Sequence, residues 1–304
     1  MRALVTGATG FIGGRLTAAL ADAGIEPRCL VRDLGRASHL RRAGYELRRA
    51  DLLDADSLHG AGRDVDVAYY LVHSMGRGGP SDADFAERER RAARNFARTA
   101  AEEGVERVIY LGGLGDAAGS EHLRSRHETG RILIAEGPPV TYFRAAMVVG
   151  AGSESYRTLR YLVARLPVMI APAWLRTPTQ PIGVDDVIAY LSAAPRVPES
   201  TGREIQIGGP DVLSYGDMLG EMAAELGVRR RPMVPVPLLS PTLSSLWIGL
   251  VTPVDTGVAR PLIEGLRTKT VVTDEAGARL FDVAPVSFRE ALRRALAEER
   301  AAER

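Results

Sequence analysis

Met1–Gly14 reads MRALVTGATGFIGG. Ala3-Leu4-Val5 is a short apolar run of strand type, and Gly7, Gly10 and Gly13 follow at three-residue spacing. Phe11, Ile12, Leu16, Ala19 and Leu20 then recur at helical spacing. Strand, glycine turn and helix in this order form the setting in which a glycine-rich loop binds a dinucleotide. Gly7 permits a tight turn out of the strand. Gly10 has no side chain, so a pyrophosphate can approach the backbone. Gly13 lets the helix pack closely, and the free N–H groups at the helix start face the phosphates.

Outward from this stretch, apolar strands and helical patterns alternate. Cys29-Leu30-Val31 reads as a second strand and Tyr45 to Arg49 as a third, ending at Asp51-Leu52. Val65 to Val72 is a near-continuous apolar run, as a buried parallel strand requires. A charged helix over Ser81 to Glu103 follows, then strand Val108 to Leu111, helix Glu121 to Glu136 and strand Val140 to Phe143. Strands separated by helices predict an α/β fold of Rossmann type, with a doubly wound parallel sheet. Residues 1–150 are expected to form the nucleotide-binding domain, with 180–210 returning pieces to it. Residues 151–304 are expected to form a smaller, mainly helical region over the substrate. In it the pattern predicts helices over Tyr156 to Leu166, Asp185 to Ala194, Ser214 to Leu226 and Ser287 to Glu303, and a strand over Glu204 to Ile207. Ser214 is the expected N-cap of its helix, with Asp217 three residues on.

The end of the second strand sits beside the adenosine ribose in such folds. An acidic side chain there favours NAD, and an arginine pairs with a 2′-phosphate and favours NADP. The strand ends Val31-Arg32, with Asp33 next and Arg36 close by. Arg32 favours NADP(H) over NAD(H), through a planar charge-assisted contact. Asp51 is placed to accept from the adenine amino group, or else to cap the next turn. Leu52 is placed to pack on the ring.

The 39 basic and 38 acidic residues leave a formal net charge of +1, which gives no footprint for nucleic acid. Cys29 is the only cysteine, so no intrachain disulfide forms and a reduced cytoplasmic setting fits. The glycine turn arrives at once, so no signal peptide is expected. Pro232 to Val254 carries no charge and is long enough to cross a bilayer, but five prolines break it. A buried loop and helix, or an apolar pocket wall, is expected rather than a span. Shallow contact with a membrane surface is the remaining alternative for this stretch.

GATGFIGG, Arg32, Asp51-Leu52, the strand Val65 to Val72 and PIGVDDV at Pro181 to Val187 together resemble the atypical short-chain dehydrogenase/reductases. The likeness is to the NmrA-like and complex-I-accessory-subunit-like NAD(P)-binding proteins. YYLVHSMG at Tyr69 to Gly76 and LRSRHETGRIL at Leu123 to Leu133 resemble a bacterial branch known mainly as NAD(P)-binding. The resemblance implies that Gly7, Thr9, Gly10, Phe11, Ile12, Gly13, Arg32, Asp51, Leu52, Leu71, Val72 and Arg126 contact the cofactor.

That superfamily usually works with a serine after the fifth strand and a YxxxK pair on the next helix. The tyrosine moves the proton, and the lysine lowers its pKa and holds the ribose. Here Gly112-Gly113 stands at the serine position, His122 and Arg126 form HxxxR, and Lys269, the only lysine, lies far outside that helix. The candidate catalytic residues are therefore His122, His73, Ser74 and Arg126. A histidine transfers protons near neutral pH. An arginine orients an oxygen but cannot be the acid. Arg144 is expected to touch ligand or to tie strand to loop. Met147, Tyr156, Tyr161, Met169, Trp174, Leu238, Leu239, Trp247 and Leu250 are available for core or for an apolar cleft. Arg157, Arg160 and Arg165 are available to an acidic substrate.

Two functions follow. One is an NADPH-dependent reductase of a hydrophobic carbonyl, enone or quinone-like small molecule, with a non-standard active site and no metal. The other is a non-catalytic NAD(P)-binding redox sensor or assembly protein.

Overall fold

The computed structural model describes residues 1–72, 82–116, 120–166, 169–171, 173–229, 232–235 and 267–303. The first half runs β1 (Arg2–Thr6), α1 (Phe11–Asp22), β2 (Glu26–Val31), α2 (Ser38–Arg42), β3 (Glu46–Arg49), α3 (Ala55–Leu58), β4 (Val67–Tyr70), α4 (Asp82–Glu102), β5 (Arg107–Gly113), α5 (Glu121–Glu136) and β6 (Val140–Ala145). Then come β7 (Val148–Val149), α6 (Glu154–Arg165), β8 (Met169–Ala171), β9 (Pro178–Thr179), β10 (Ile182–Gly183) and α7 (Val184–Ala193). The described chain continues with β11 (Glu204–Ile207), β12 (Leu213–Ser214), α8 (Tyr215–Glu225), β13 (Met233–Pro235) and a C-terminal helix, Phe288–Ala302.

Seven strands form one sheet in the order β11-β6-β5-β4-β1-β2-β3, every pair parallel. Side chains alternate between its faces. Ala3, Val5, Val67, Tyr69 and Ile109 join Leu16 and Leu20 of α1 and Val187 and Leu191 of α7 in one core. Leu4, Ala68, Tyr70, Val108 and Tyr110 join Ala93, Phe96 and Ala97 of α4 and Leu133 of α5 in another. A strand covered on both faces must be apolar on both, which explains the runs read from the sequence. β11 enters this sheet from the second half of the chain, with Ile205 opposite Phe143. A third core joins α6, α8 and the C-terminal helix through Tyr156, Leu159, Met218, Met222, Phe288 and Leu292.

β4 is shorter than the apolar run from Val65 to Val72. Val65 N–H turns back to the Gly62 carbonyl at 3.1 Å, and Leu71 N–H leaves the ladder for Thr6 Oγ1 at 3.0 Å. At α8 the expected capping box forms: Ser214 Oγ accepts from Asp217 N–H at 3.1 Å, and the Asp217 carboxylate accepts from Ser214 N–H at 3.1 Å. Of the uncharged stretch, Met233–Pro235 pairs in parallel with β8; residues 236–254 lie outside the described residues. No helix among the described residues is long and apolar enough to cross a membrane.

Candidate cofactor-binding and active site

Strand order reverses between β1 and β4, and ligands of open parallel sheets bind at the carboxyl ends of strands at such a point. The glycine turn stands there. Thr6 joins the two strand ends: its hydroxyl donates to the Tyr69 carbonyl at 2.9 Å and accepts from Leu71 N–H. Gly7 has φ +70°, and a Cβ on it would lie 2.8 Å from the Leu71 carbonyl oxygen. A Cβ on Gly13 would lie 2.2 Å from the Gly7 carbonyl oxygen. Both positions therefore exclude a side chain for reasons internal to the fold. Gly10 differs. A Cβ there meets only the Gly7 oxygen, at 3.1 Å, so protein packing leaves most of its surroundings open. Gly10 is also the N-cap of α1, where no side chain caps the helix and no acid lies in the first turn. The first N–H groups of a helix are orphan donors and carry its positive dipole end. Thr9 and Gly10 are exposed, Phe11 and Ile12 half-buried. This cradle fits a pyrophosphate.

At the tip of β2, Arg32 and Arg36 are exposed, and neither guanidinium has an ion pair or hydrogen bond among the described residues. Asp33 does not compete with them. Its Oδ1 accepts from Gly35 N–H at 2.8 Å and Arg36 N–H at 3.2 Å, closing its own turn. Asp51 likewise spends Oδ1 on Leu53 N–H at 3.0 Å, one residue before the N-cap of α3, Asp54, begins to form. Leu52, expected to pack on the adenine ring, is 7 % exposed and packs in the α4-side core, where its carbonyl accepts from Asn95. Leu71 and Val72, half-buried, follow β4 beside the glycine turn.

At the end of β5 the vacant serine position is filled. A Cβ on Gly112 would lie 2.6 Å from Tyr142 Cε2 and 2.7 Å from its hydroxyl. A Cβ on Gly113 would lie 2.6 Å from Leu123 Cδ2 and 3.4 Å from Arg126 Cδ. Tyr70, Tyr110 and Tyr142 stand in register on neighbouring strands, with ring centroids 6.0 and 4.9 Å apart. Tyr110 hydroxyl donates to the Arg126 carbonyl at 2.9 Å. Tyr142 hydroxyl and Arg126 Nε are buried with no hydrogen-bond partner among the described residues. Burial pushes the Tyr142 pKa up to about 12, so its phenol stays protonated.

Arg126 thus lies on α5 with its stem against the end of β5. His122 is one turn earlier on the same helix; its side chain, and all of His73 and Ser74, lie outside the described residues. Arg144 ties strand to loop. It donates to the Gly113 carbonyl at 3.1 Å and to the Gly115 carbonyl, and pairs with Glu204. Its guanidinium also lies 2.9 Å from His127 Nε2. Burial, and secondly the Arg144 charge, hold the His127 pKa below its ordinary value. His127 carries no local signal in the sequence, because its importance comes from Arg144. Lys269 is remote from this helix in sequence, yet its carbonyl is 3.3 Å from a Cβ on Gly115, and Thr268 and Thr270 pack on the same glycine. Its side chain is exposed.

On the substrate side, Tyr156 belongs to the core and donates to Glu299 at 2.8 Å. Met147 and Tyr161 are half-buried; the side chains of Met169 and Trp174, and Leu238, Leu239, Trp247 and Leu250, lie outside the described residues. Arg157 pairs with Glu154 and Arg160 with Glu299, which withdraws both from an acidic substrate. Arg165 stacks 4.8 Å over Tyr161. No cluster of metal-ligating side chains occurs among the described residues.

Residues 7–148 match the family model described as NAD(P)H-binding. No curated sequence matches the chain. Among solved structures, a nucleoside-diphosphate-sugar epimerase from Staphylococcus aureus is 17% identical, with 96% of this chain and 100% of that chain covered and a TM-score of 0.76. A triphenylmethane reductase from Citrobacter sp. is 16% identical, with 98% and 100% covered and a TM-score of 0.75. An NADPH-dependent quinone oxidoreductase from Escherichia coli, complexed with NADPH, is 20% identical, with 96% and 98% covered and a TM-score of 0.73. At such identities the likeness is one of fold. Residues 7–148 of this chain match an NAD(P)H-binding domain, and the chain shares the Rossmann-type α/β fold of these structures.

Proposed function

We propose that the protein is an NADPH-dependent reductase of a hydrophobic carbonyl, enone or quinone-like substrate. The observation that carries the cofactor preference is the contrast at the tip of β2: Arg32 is exposed and makes no ion pair or hydrogen bond among the described residues, while Asp33 is turned into its own loop. A free guanidinium there meets a 2′-phosphate, and an acid already engaged with backbone N–H groups is less available to a ribose hydroxyl. Gly7, Gly10, Gly13 and the first turn of α1 hold the pyrophosphate. Bound NADPH supplies a hydride from its nicotinamide.

The chain's own residues do the rest. Arg126, against the end of β5, orients a substrate oxygen and stabilises the negative charge that grows on it. His122, or His73 or Ser74 after β4, delivers the proton. The serine of the usual short-chain set has no room here, because the positions of Gly112 and Gly113 are packed against Tyr142 and Leu123. An apolar cleft excludes water and holds the substrate against the nicotinamide, so orientation contributes much of the rate. The Escherichia coli quinone oxidoreductase and the Citrobacter triphenylmethane reductase named above support a flat apolar substrate.

The same packing at Gly112 favours a second reading, a non-catalytic NAD(P)-binding sensor or assembly protein. Titration of the purified protein with NADPH and NADH, followed by NADPH oxidation against quinones, enones and polycyclic ketones, separates the two. Binding with turnover supports the reductase. Binding without turnover across the panel moves the reading to the sensor. Absence of binding overturns both.

A further inference from the structure

The C-terminal helix reaches back to the glycine turn at one point. Arg15, four residues after Phe11 on α1, stacks its guanidinium 4.7 Å over the Phe11 ring. It donates to the Phe11 carbonyl at 3.2 Å and to the Ala151 carbonyl at 2.9 Å, and forms an ion pair with Glu298 on the C-terminal helix. Phe11 is in turn seated on the loop that follows β7. A Cβ on Gly150 would lie 3.1 Å from Phe11 Cζ, and one on Gly152, at φ +89°, would lie 3.6 Å from Cδ2. That loop ends at Ser153, which caps α6 and anchors itself to the Val148 carbonyl at 2.9 Å. One guanidinium therefore joins the first turn of α1, the 150–153 turn and a helix 283 residues away.

We propose that Arg15 is a positioning residue through which the C-terminal helix holds the uncapped start of α1 in the geometry that receives the cofactor's pyrophosphate, so that docking of that helix and nucleotide binding are coupled. The physical basis is the planarity of the guanidinium. It can stack on Phe11 and reach three acceptors at once, which an ammonium cannot do. Phe11 is the first residue of α1, so its orientation sets the direction of the orphan N–H groups. The C-terminal helix packs on α6 and α8 through Phe288, Leu292 and Leu296, so Glu298 conveys the position of that whole core. Coupling between two sites is reciprocal, so nucleotide must also tighten the helix.

This inference rests on the cofactor reading above, and the test keeps their failures apart. The full chain is compared as wild type, Arg15→Lys and Glu298→Gln, by fluorescence titration with NADPH and NADH and by amide hydrogen exchange with and without nucleotide. Arg15→Lys is expected to weaken both nucleotides to the same extent, by about fivefold or more, the low end for coupled sites. Glu298→Gln is expected to shift both in the same direction by less. In wild type, NADPH slows exchange in the C-terminal helix, and both variants lose that slowing. A purely structural role would change exchange equally with and without nucleotide. If Arg15→Lys does not fold, Glu298→Gln carries the test, because Glu298 is 53 % exposed. Variants that bind like wild type, or a C-terminal helix indifferent to nucleotide, overturn the coupling alone. A wild type that binds neither nucleotide overturns the cofactor reading and the coupling with it.

Discussion

Tyr142 occupies the space that a side chain at Gly112 would need, its hydroxyl 2.7 Å and its Cε2 2.6 Å from the position of a Cβ. Gly130 of α5 holds the opposite edge of the ring, with Cε1 2.8 Å from its own Cβ position. A serine at Gly112 therefore meets a ring that cannot step aside.

Gly112→Ser is expected to destabilise the protein by about 1–3 kcal/mol, as overpacking does, and to add no activity. Tyr142→Phe is expected to cost little stability, since it removes a hydroxyl with no partner among the described residues. Urea unfolding of the two variants checks the pair. A Gly112→Ser protein as stable as wild type would contradict the packing account.

Gly10 and Gly13 differ in what a side chain would meet, and on the cofactor reading proposed above only Gly13 is fixed by the fold alone. Gly13→Ala puts a methyl 2.2 Å from backbone and is expected to cost about 3 kcal/mol or more. Gly10→Ala meets only one oxygen at 3.1 Å, so its expected cost is under about 1 kcal/mol, with NADPH binding nevertheless lost by at least about tenfold. Thermal melts with and without NADPH distinguish them: Gly10→Ala keeps the melting temperature and loses the ligand-induced rise.

Arg32→Ala is expected to weaken NADPH by about tenfold or more, the value of one charge-assisted contact, and NADH by less than about twofold. Asp33→Asn keeps an acceptor for Gly35 N–H and Arg36 N–H and is expected to leave the preference unchanged. Parallel fluorescence titrations with both nucleotides measure this. Equal weakening by Arg32→Ala would show that Arg32 does not read the 2′-phosphate.

His127 supplies a pH signature. Burial and the Arg144 charge lower its pKa in the folded state below the ordinary value of 6.5. The unfolded chain then binds more protons as pH falls through that value, so stability is full above it and is lost as the pH drops toward the folded pKa. His127→Asn is expected to flatten the fall in unfolding free energy as the pH drops below about 6.5, relative to wild type. Denaturant midpoints at several pH values check the difference.

Elements set by local chemistry were legible. The glycine spacing, the apolar runs and the Ser214-Asp217 cap are each read within a few residues, and the structure forms them in place. The strand Val65 to Val72 was overextended because Thr6, from another strand, takes the Leu71 N–H. For Leu52 the same apolar side chain serves a core or a ring, and only packing shows that it lies in the α4-side core. For Arg32 and Asp33 the identities were plain but the weighting was not: the turn that engages the Asp33 carboxylate is a matter of backbone geometry.

By itself, the sequence determined the parallel sheet, the glycine turn between β1 and α1 and the lack of the usual serine, tyrosine and lysine. Periodicity, glycine sterics and residue identity are local properties and need no partner. The tertiary structure alone decided what fills the serine position, that Arg144 spans 31 residues to the Gly113 carbonyl, that Lys269 runs beside Gly115, and that Arg15 meets Glu298. These are contacts between residues far apart in the chain. Which distant groups meet depends on how helices and strands pack, and no local pattern encodes it.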